Sequence, residues 1–399
     1  MPKLASKEIC TGCGACVNIC KKQAISMKRT SEGFFFPDVD YSVCIECGLC
    51  ASCCPILNTV DSKAKEAETY AVVNKNDDVR GKSSSGGVFT ALADDILCRG
   101  GGVFGASFDE RVTVKHIMVT DDESLEKLRG SKYSQSDIGN AFSMAKGLLD
   151  DGREVLFSGT PCQIAGLYAF LKRDYDNLYT QDIVCFGVPS PVVLERYIKY
   201  KEKKHRSSIK SISFRDKRNG WKNYQVCCSF ENGDVDQIDH EKDSFMQAFL
   251  KCVALRESCY DCKYKGVNHQ ADITLGDLWG AEDILPSFND DKGISLVFVN
   301  TAKGKRLLER VKDIVNCIAV DRECAIGHNL LYQYSAKRQG SRESFLHDVQ
   351  RLNFEKCVEL YCSDNENSIK KRQLIEDYLA VKNEKGTLFA CVWRIKQMI

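Results

Sequence analysis

The spacing of cysteines near the start of the chain constrains the fold more than any other feature of the sequence. Residues 10–20 read CTGCGACVNIC, and residues 44–55 read CIECGLCASCCP. Each stretch contains four cysteines spaced C-x2-C-x2-C-x3-C, and the second run is followed directly by Pro55. Cysteines this crowded rarely pair as ordinary disulfides, because a disulfide requires specific backbone geometry. The spacing therefore predicts that the thiols bind metal.

The doubled spacing is typical of bacterial two-cluster ferredoxins, in which the fourth cysteine of each run serves the other cluster. Tetrahedral zinc is the alternative, and the doubled runs suit it less well. Residues 33–44, between the runs, are predicted to form a pair of strands that covers the clusters. The two predicted 4Fe-4S clusters are held by Cys10, Cys13, Cys16 and Cys54, and by Cys44, Cys47, Cys50 and Cys20.

Composition limits where such a chain can work. The 56 Lys and Arg residues nearly cancel the 55 Asp and Glu residues, so no global basic field attracts nucleic acid. The sequence shows no secretory signal and no apolar run long enough to span a bilayer. We therefore expect a cytoplasmic protein whose 22 cysteines stay reduced. A homo-oligomer is compatible with the sequence, which leaves the oligomeric state open.

Beyond the cysteine runs, strands alternate with helices, which predicts an α/β fold with a mostly parallel sheet. From about residue 208 the pattern becomes richer in strands. The predicted architecture is a two-cluster ferredoxin fold joined to an α/β (α+β) domain with a mixed, mostly parallel sheet. The expected divisions are a ferredoxin domain at 1–58, a linker at 59–69, a larger domain at 70–310 and a helical C-terminal region of unknown role at 311–399.

Three motifs lie where predicted strands end, which is where α/β sheets bind ligands. KSSSGG (82–87) suits a phosphate or a plain serine N-cap. In SGTPCQ (158–163), Thr160 and Gln163 form a predicted capping box, and Cys162 follows in the first helical turn. The helix dipole there is expected to favour the thiolate. CFGVPSP (185–191) ends the next strand.

Cys259 and Cys262 form a C-x2-C pair that is incomplete as a site. Cys162 and Cys185 are the leading candidates to complete it, with Cys252 and His269 behind them. A third 4Fe-4S cluster, a zinc knuckle and a redox dithiol all fit this pattern. Iron–sulfur is favoured because the rest of the chain already indicates electron transfer.

Five stretches carry a resemblance to a known family. They are SSSGGVFTAL, LRGSKYSQS, LFSGTPCQIAGL, DIVCFGVPS and SCYDCKYKG...ADITLGDLWG. In this order and spacing the sequence resembles the beta subunit of coenzyme F420 hydrogenase/dehydrogenase and its iron–sulfur flavoprotein relatives. With the ferredoxin module, the resemblance covers about residues 1–310.

The resemblance implies a flavin, FAD rather than FMN, although the sequence has no dinucleotide fingerprint that chooses between them. It also implies hydride exchange between the flavin and a two-electron carrier, often coenzyme F420. Lys132 is expected to stabilise a reduced, anionic flavin. By this resemblance the flavin contacts Ser84, Ser85, Gly86, Gly87, Ser131, Lys132, Tyr133, Gln135, Ser136, Thr160, Gln163 and Gly187.

The leading hypothesis is an iron–sulfur flavoprotein oxidoreductase. It would exchange electrons with a redox carrier (coenzyme F420, NAD(P)H or ferredoxin) and with a protein electron partner. One alternative is a non-catalytic electron-relay component of a larger complex, without flavin. Another is a ferredoxin-driven flavin reductase of an organic substrate.

Overall fold

A computed structural model of the protein describes residues 3–58, 64, 67–363 and 368–370. Most of the predicted linker and all of residues 371–399 lie outside these ranges. Among the helices that the structure describes, none combines the length and apolar character needed to cross a bilayer.

Strands and helices alternate along most of the described chain. The strands are β1 (Ile25–Arg29), β2 (Phe35–Val39), β3 (Glu68–Asn74), β4 (Gly102–Phe108), β5 (Val114–Val119), β6 (Val155–Ser158), β7 (Leu178–Ile183), β8 (Ile209–Asp216), β9 (Gln225–Phe230), β10 (Val235–Asp239), β11 (Ile273–Asp277), β12 (Ser295–Val299) and β13 (Val315–Ala319). The helices are α1 (Ala15–Ile19), α2 (Leu49–Ser52), α3 (Asp77–Gly81), α4 (Val88–Cys98), α5 (Asp122–Leu125), α6 (Ala141–Asp150), α7 (Pro161–Leu171), α8 (Pro191–His205), α9 (Ser244–Leu250), α10 (Ala281–Ile284), α11 (Ala302–Arg310), α12 (Arg322–Gly327), α13 (Leu330–Gln333), α14 (Arg342–Asp348) and α15 (Phe354–Cys362).

The largest sheet has the strand order β13-β3-β12-β11-β7-β6-β4-β5. The four strands β4, β6, β7 and β11 pair in parallel, whereas the pairs outside this centre are antiparallel. The predicted mixed α/β fold is confirmed. The expectation of a mostly parallel sheet holds only for the centre, because β12 returns antiparallel beside β11 and β5 is a hairpin partner of β4.

Helices cover both faces of this sheet. Along β6, Val155 and Phe157 point into one apolar cluster and Leu156 into the other, as the two-residue period of a strand requires. The first cluster is completed by α6 and α7, and the second by α4 and α11. The central strands are buried on both sides, so their carboxyl ends are the accessible places on the sheet.

A smaller sheet, β10-β9-β8, packs with α8 and α9 in a further apolar cluster. The helices α14 and α15 join the same cluster through Phe345, Phe354 and Val358. The segment from residue 311 was expected to be helical, but β13 within it is a strand paired with β3. Its residues complete the edge of the large sheet.

The N-terminal module consists of α1, α2 and the β1–β2 hairpin. Residues 33–44 were expected to supply both strands, but they supply only β2, which pairs with the earlier β1. This module packs directly on the larger sheet domain, where α1 contacts α7. The Asn18 side chain donates to the Gly139 carbonyl at 2.9 Å. One cysteine-bearing loop of the module therefore faces the sheet domain.

Candidate functional site

The first set of N-terminal cysteines lines a cavity at the base of α1. Cys10, Cys13, Cys16 and Cys54 meet there, with apolar cover from Met27, Pro37 and Ile56. Burial raises the pKa of Cys13 to about 12, and repulsion from the Cys10 and Cys54 sulfurs adds to the shift. Buried thiolates that repel one another are stabilised when iron binds them and offsets their charge. The donor set and the cavity fit the predicted 4Fe-4S cluster.

The second set lies at the other end of α1. Cys20 and Cys47 interact electrostatically with Cys50, whose pKa is raised chiefly by burial. The Ala24 amide donates to the Cys20 sulfur at 3.3 Å. Cys47 is exposed, and Cys44 lies on the same loop, half-buried. Cys16 lies in the first turn of α1 and Cys20 is its C-cap, so the helix places the fourth cysteine of the first run with the second set.

Both helices of this module begin at a glycine in the left-handed region. Gly14 precedes α1 with a φ of 78°, and Gly48 precedes α2 with a φ of 74°. These backbone angles turn the chain around the thiols at positions where a side chain would be strained.

A third set of cysteines comes from three separate segments of the sheet domain. Cys162 lies on α7, Cys185 follows β7, and Cys259 and Cys262 lie on the loop after α9. The loop is held against the segment after β7 by a bridge between Pro189 and Leu255. Burial is the main cause that raises the pKa of these thiols, and neighbouring sulfurs add to it for Cys162, Cys185 and Cys259. All four are free thiols.

Backbone amides point at most of these sulfurs. The donors are Gly187 to Cys185, Val188 to Cys259 and Tyr264 to Cys262. The Lys265 ammonium donates to the Cys185 carbonyl at 2.6 Å. Amide dipoles and a nearby cation favour bound thiolates and tune an iron–sulfur centre.

In the part of the chain that the structure describes, no three His, Cys, Asp or Glu side chains converge around a single metal ion. A 4Fe-4S cluster does not require such convergence, because each thiolate binds a different iron at a corner of the cube.

The two reserve candidates have other hydrogen-bond partners. His269 is buried and its Nδ1 is 2.9 Å from the Asp182 carboxylate. Cys252 belongs to the apolar cluster around α8 and α9, and its sulfur donates to the Leu250 carbonyl.

The predicted capping box at the start of α7 is confirmed. Thr160 is the N-cap, Pro161 is the first helical residue, and the Thr160 amide donates to Gln163 Oε1 at 2.9 Å. Cys162 accordingly lies in the first turn. The expected preference of the Cys162 thiol for its thiolate form is not found, because burial raises the pKa of this thiol well above its usual range. Desolvation outweighs the helix dipole here.

The third set lies directly against the first N-terminal set. A side-chain carbon added at Gly166 of α7 would lie 2.9 Å from the Cys13 sulfur. Tyr264 is buried, and the sulfurs of Cys13 and Cys162 both act on its hydroxyl. The two cysteine sets are therefore neighbours across the boundary between the N-terminal module and the sheet domain.

Two of the loops expected to hold a flavin meet in the structure. The hydroxyls of Ser84 and Ser131 are 2.9 Å apart. Ser85 donates to the Ile294 carbonyl at 2.9 Å. Gly86 packs too tightly against the sheet for any side chain, since an added carbon would lie 2.3 Å from the Val72 carbonyl. Gly87 begins α4 with a φ of 82°.

Two cations that the sequence interpretation missed lie against this serine loop. Arg215 pairs with Asp277 at 3.1 Å and reaches the Ser84 carbonyl at 3.5 Å. The Lys217 ammonium donates to the Ser85 carbonyl at 2.8 Å. Burial lowers the pKa of Lys217 to about 8. The charge run RDKR at 215–218, at the end of β8, is the sequence signal that could have indicated them.

Another group of predicted residues surrounds His116. Its Nδ1 is 2.6 Å from the Ser136 hydroxyl, and its Nε2 is 3.0 Å from the Ser158 carbonyl, beside Thr160 and Gln163. Burial lowers the pKa of His116 to about 4, and the nearby Lys132 cation adds to the effect. Burial also lowers the pKa of Lys132 to about 7.

The remaining predicted flavin contacts have other neighbours. The Tyr133 ring packs on the rings of Phe214 and Phe249, and its hydroxyl interacts with Arg215 beside the serine loop. Gln135 accepts a hydrogen bond from the Phe35 amide at 2.9 Å, so it faces the N-terminal module. Gly187 lies beside Cys259 of the third cysteine set.

The polar groups around the serine loop fit an anionic ligand. Among the described residues, the buried Nε atoms of Arg129 and Arg215 have no hydrogen-bond partner. Lys132 has no carboxylate partner within the same ranges, and Lys217 is bound only by carbonyls. Arg129 and Arg215 are ion-paired with Glu126 and Asp277. Among the described residues around this loop, the cations without a carboxylate partner are therefore Lys132 and Lys217, and a buried cation of this kind is costly unless a ligand satisfies it. Such cations suit a flavin phosphate or a reduced flavin ring.

Comparison with known proteins matches three parts of the chain. Residues 9–57 match a 4Fe-4S dicluster domain. Residues 69–143 match the N-terminal model of the coenzyme F420 hydrogenase/dehydrogenase beta subunit. Residues 152–321 match the C-terminal model of the same beta subunit. The two halves of that family together cover more than half of the 399 residues.

A curated relative extends over nearly the whole chain. The F subunit of F(420)H(2) dehydrogenase from Methanosarcina mazei is 23% identical over 377 residues, which are 89% of this chain and 97% of that protein. A solved structure of the F420-reducing NiFe hydrogenase complex from Methanosarcina barkeri is similar at 19% identity and a TM-score of 0.46. That match covers 68% of this chain and 93% of that one.

These matches agree with the cysteine geometry. The dicluster domain coincides with the two N-terminal cysteine sets, and the third set lies within the C-terminal half of the matched family. The similarities support iron–sulfur clusters and an electron-transfer role. With an N-terminal 4Fe-4S dicluster domain added, this chain belongs to the family of coenzyme F420 hydrogenase/dehydrogenase beta subunits.

Proposed function

We propose that this chain is an iron–sulfur flavoprotein oxidoreductase that exchanges a hydride with coenzyme F420 or a similar two-electron carrier. Family membership supports this proposal, as does the relative whose name denotes a component of an F420H2 dehydrogenase. The observation that carries it is the meeting of Cys162, Cys185, Cys259 and Cys262 beside the ferredoxin module. This arrangement gives the sheet domain an electron path into that module.

The chain's own residues divide the work along this path. The third cysteine set would hold a further 4Fe-4S cluster on the sheet domain, next to the cluster held through Cys13. The first N-terminal cluster would then pass electrons to the second, because α1 carries a ligand of each, Cys16 and Cys20. Exposed Cys47 makes the second cluster the point of exchange with a protein partner.

We place the flavin at the serine loop, beside the buried cations Lys132 and Lys217, which have no carboxylate partner among the described residues. Ser84 and Ser131 would supply hydroxyls, and Arg215 and Lys217 would supply positive charge. Lys132 would hold a proton that offsets the charge of a reduced flavin. The bound flavin supplies the conversion of a two-electron hydride into single electrons.

An anaerobic optical titration tests this function. Flavin-loaded protein is titrated in parallel with reduced coenzyme F420, NADH and NADPH. We expect reduced F420 to bleach first the flavin band and then the cluster absorbance. The flavin accepts the hydride, and the clusters then accept its electrons one at a time.

Two outcomes would contradict the proposal. If none of the three carriers bleaches the flavin while reduced ferredoxin does, electrons enter through the N-terminal clusters and the flavin serves an organic substrate. If reconstituted protein shows no flavin absorbance at all, the chain is an electron relay.

A further inference from the structure

Arg256 lies at the boundary between the ferredoxin module and the sheet domain, and it is only 1% exposed. Its Nε donates to the Cys10 carbonyl at 2.8 Å. Its Nη1 donates to the Phe35 carbonyl at 3.0 Å and to Gln135 Oε1 at 3.3 Å. A side chain of the sheet domain thus reaches into the loop that carries the first N-terminal cluster ligand.

The charge of this guanidinium has no carboxylate partner. Throughout the ranges described by the structure, Arg256 bonds to neutral oxygens, and its Nη2 has no partner. The Phe36 ring lies 3.9 Å from the guanidinium carbon, so an aromatic face covers the group. A buried, unpaired cation costs several kcal/mol unless a negative group lies close by.

Cysteines of two sets lie near Arg256: its Nε bonds to the Cys10 carbonyl, and its own carbonyl accepts from the Cys259 amide at 3.0 Å. Burial lowers the pKa of Arg256, while the sulfurs of Cys10, Cys162 and Cys259 act in the opposite direction. Cys10 belongs to the first N-terminal set, whereas Cys162 and Cys259 belong to the third. The cysteines that act on the guanidinium therefore belong to two different predicted clusters.

Arg342 provides a natural comparison. It is 2% exposed and also joins the two modules, because its Nη2 lies 2.8 Å from Glu32 of the ferredoxin module. Its Nε donates to the Leu255 carbonyl at 2.8 Å, next to Arg256 in sequence. A second carboxylate, Glu257, lies 3.3 Å away. The charge of Arg342 is thus already neutralised, and that of Arg256 is not.

We propose that Arg256 is the shared counter-ion of two iron–sulfur clusters and raises the reduction potential of both. The inference rests on the proposed function for the third cluster, but its effect on the Cys10 cluster can be measured without it. Reduction adds one electron to a cluster, breaks no bond and increases the negative charge near the guanidinium. A buried cation stabilises that added charge strongly, because the protein interior screens it little.

The test is an anaerobic potentiometric titration with dithionite, followed by electron paramagnetic resonance of the reduced clusters. Arg256→Met removes the charge at similar volume, and Arg256→Lys keeps it. Arg342→Met is the matched control, because it disrupts the same boundary without removing an unpaired charge. The cluster of Cys20, Cys44, Cys47 and Cys50 is the internal reference, since Arg256 bonds to none of its cysteines.

We expect Arg256→Met to lower the equilibrium constant for reduction of the Cys10 cluster about tenfold or more, or about 59 mV for one electron. The third cluster should shift in the same direction. In Arg256→Lys and Arg342→Met, the constant should stay within a factor of about three of the wild type.

Unchanged constants in an iron-replete Arg256→Met protein would overturn the inference, and so would an equal shift in Arg342→Met. If Arg256→Met loses iron, the Arg256→Lys variant decides. If that variant keeps its iron and has wild-type reduction constants, the positive charge of Arg256 is responsible. If it also loses iron, only the hydrogen bonds of Arg256 to the N-terminal module matter, and the inference fails. The iron content of the wild type distinguishes failure of this inference about Arg256 from failure of the proposed function. About eight irons rather than twelve would remove the third cluster, and the inference would then stand or fall on the Cys10 cluster.

Discussion

Lys132 is a residue whose function depends on its surroundings. Its ammonium donates to the Arg129 carbonyl at 2.6 Å, and no carboxylate pairs with it among the described residues. Burial lowers the pKa of this lysine to about 7. At neutral pH it is therefore near the midpoint of its titration, where an anionic neighbour would draw a proton to it.

At this scale we predict that Lys132→Met lowers the two-electron potential of the bound flavin by about 30 mV or more, a tenfold change in the equilibrium constant. Below pH 7 Lys132 is charged in both redox states and stabilises the reduced flavin. Above pH 7 Lys132 is neutral beside oxidised flavin and must take up a proton when the flavin is reduced. The difference between the flavin potentials of the wild type and the variant therefore narrows by up to about 30 mV per pH unit. Spectroelectrochemistry at several pH values measures both effects.

Lys82→Met is the control for this prediction. Lys82 lies in the same serine motif, but it is 61% exposed and paired with Glu126. Its removal should leave the flavin potential unchanged at every pH. A gap between wild type and Lys132→Met that does not depend on pH would argue against titration of Lys132.

Among the elements, α7 connects the two modules. Its first turn carries Cys162, its buried face packs on β6 through Ile164 and Leu167, and Gly166 lies against Cys13. A larger residue at Gly166 would meet both the β-carbon and the sulfur of Cys13 at 2.9 Å. Cys13 cannot move away freely, because it lies on the tight loop that carries its cluster.

We therefore expect Gly166→Ala to destabilise the protein by about 1–3 kcal/mol through overpacking and to lower iron content by about one cluster. Gly147→Ala on α6 is the matched control: nothing lies within 4 Å of the added carbon, so alanine should stabilise the helix by about 0.4–1 kcal/mol. Thermal unfolding measures these opposite changes in stability, and iron analysis measures the loss of a cluster. Equal stability of the two variants would show that α7 and the Cys13 loop separate easily.

At the scale of the whole molecule, the N-terminal module presents one cysteine set toward the sheet domain and the other, which includes exposed Cys47, toward solvent. Around the outward cysteines, large apolar side chains lie in solvent: Ile45 is 62% exposed, Tyr41 54% and Val43 46%. Exposed apolar residues beside an exposed ligand, Cys47, are characteristic of a contact surface for another protein. We propose that a one-electron carrier protein docks there.

Ile45→Asp should slow electron transfer to oxidised ferredoxin several-fold, because it places a charge in the docking surface. Reduction of methyl viologen, a small acceptor, should be unaffected, and so should reduction of the flavin. Val235→Asp is the control, since Val235 is similarly exposed at 58% but lies on β10 of the small sheet. Stopped-flow kinetics with both acceptors would disprove the docking site if the two variants behaved alike.

Local spacing by itself determined much of this protein. The doubled C-x2-C-x2-C-x3-C runs predicted the dicluster module, and Thr160, Pro161 and Gln163 predicted the start of α7, because ligands and caps within one or two turns depend on backbone geometry alone. The alternation of strands and helices likewise predicted a mixed α/β fold.

Only the tertiary structure decided what brings distant segments together. The antiparallel flanks of the sheet, the packing of Gly166 against Cys13, and the burial of Arg256 between two cysteine sets all join residues far apart in sequence. Such contacts depend on how whole elements pack and on which charges lose water when they do. Neither a residue type nor its local spacing encodes that desolvation, so the electrostatic character of the site emerges only in the folded chain.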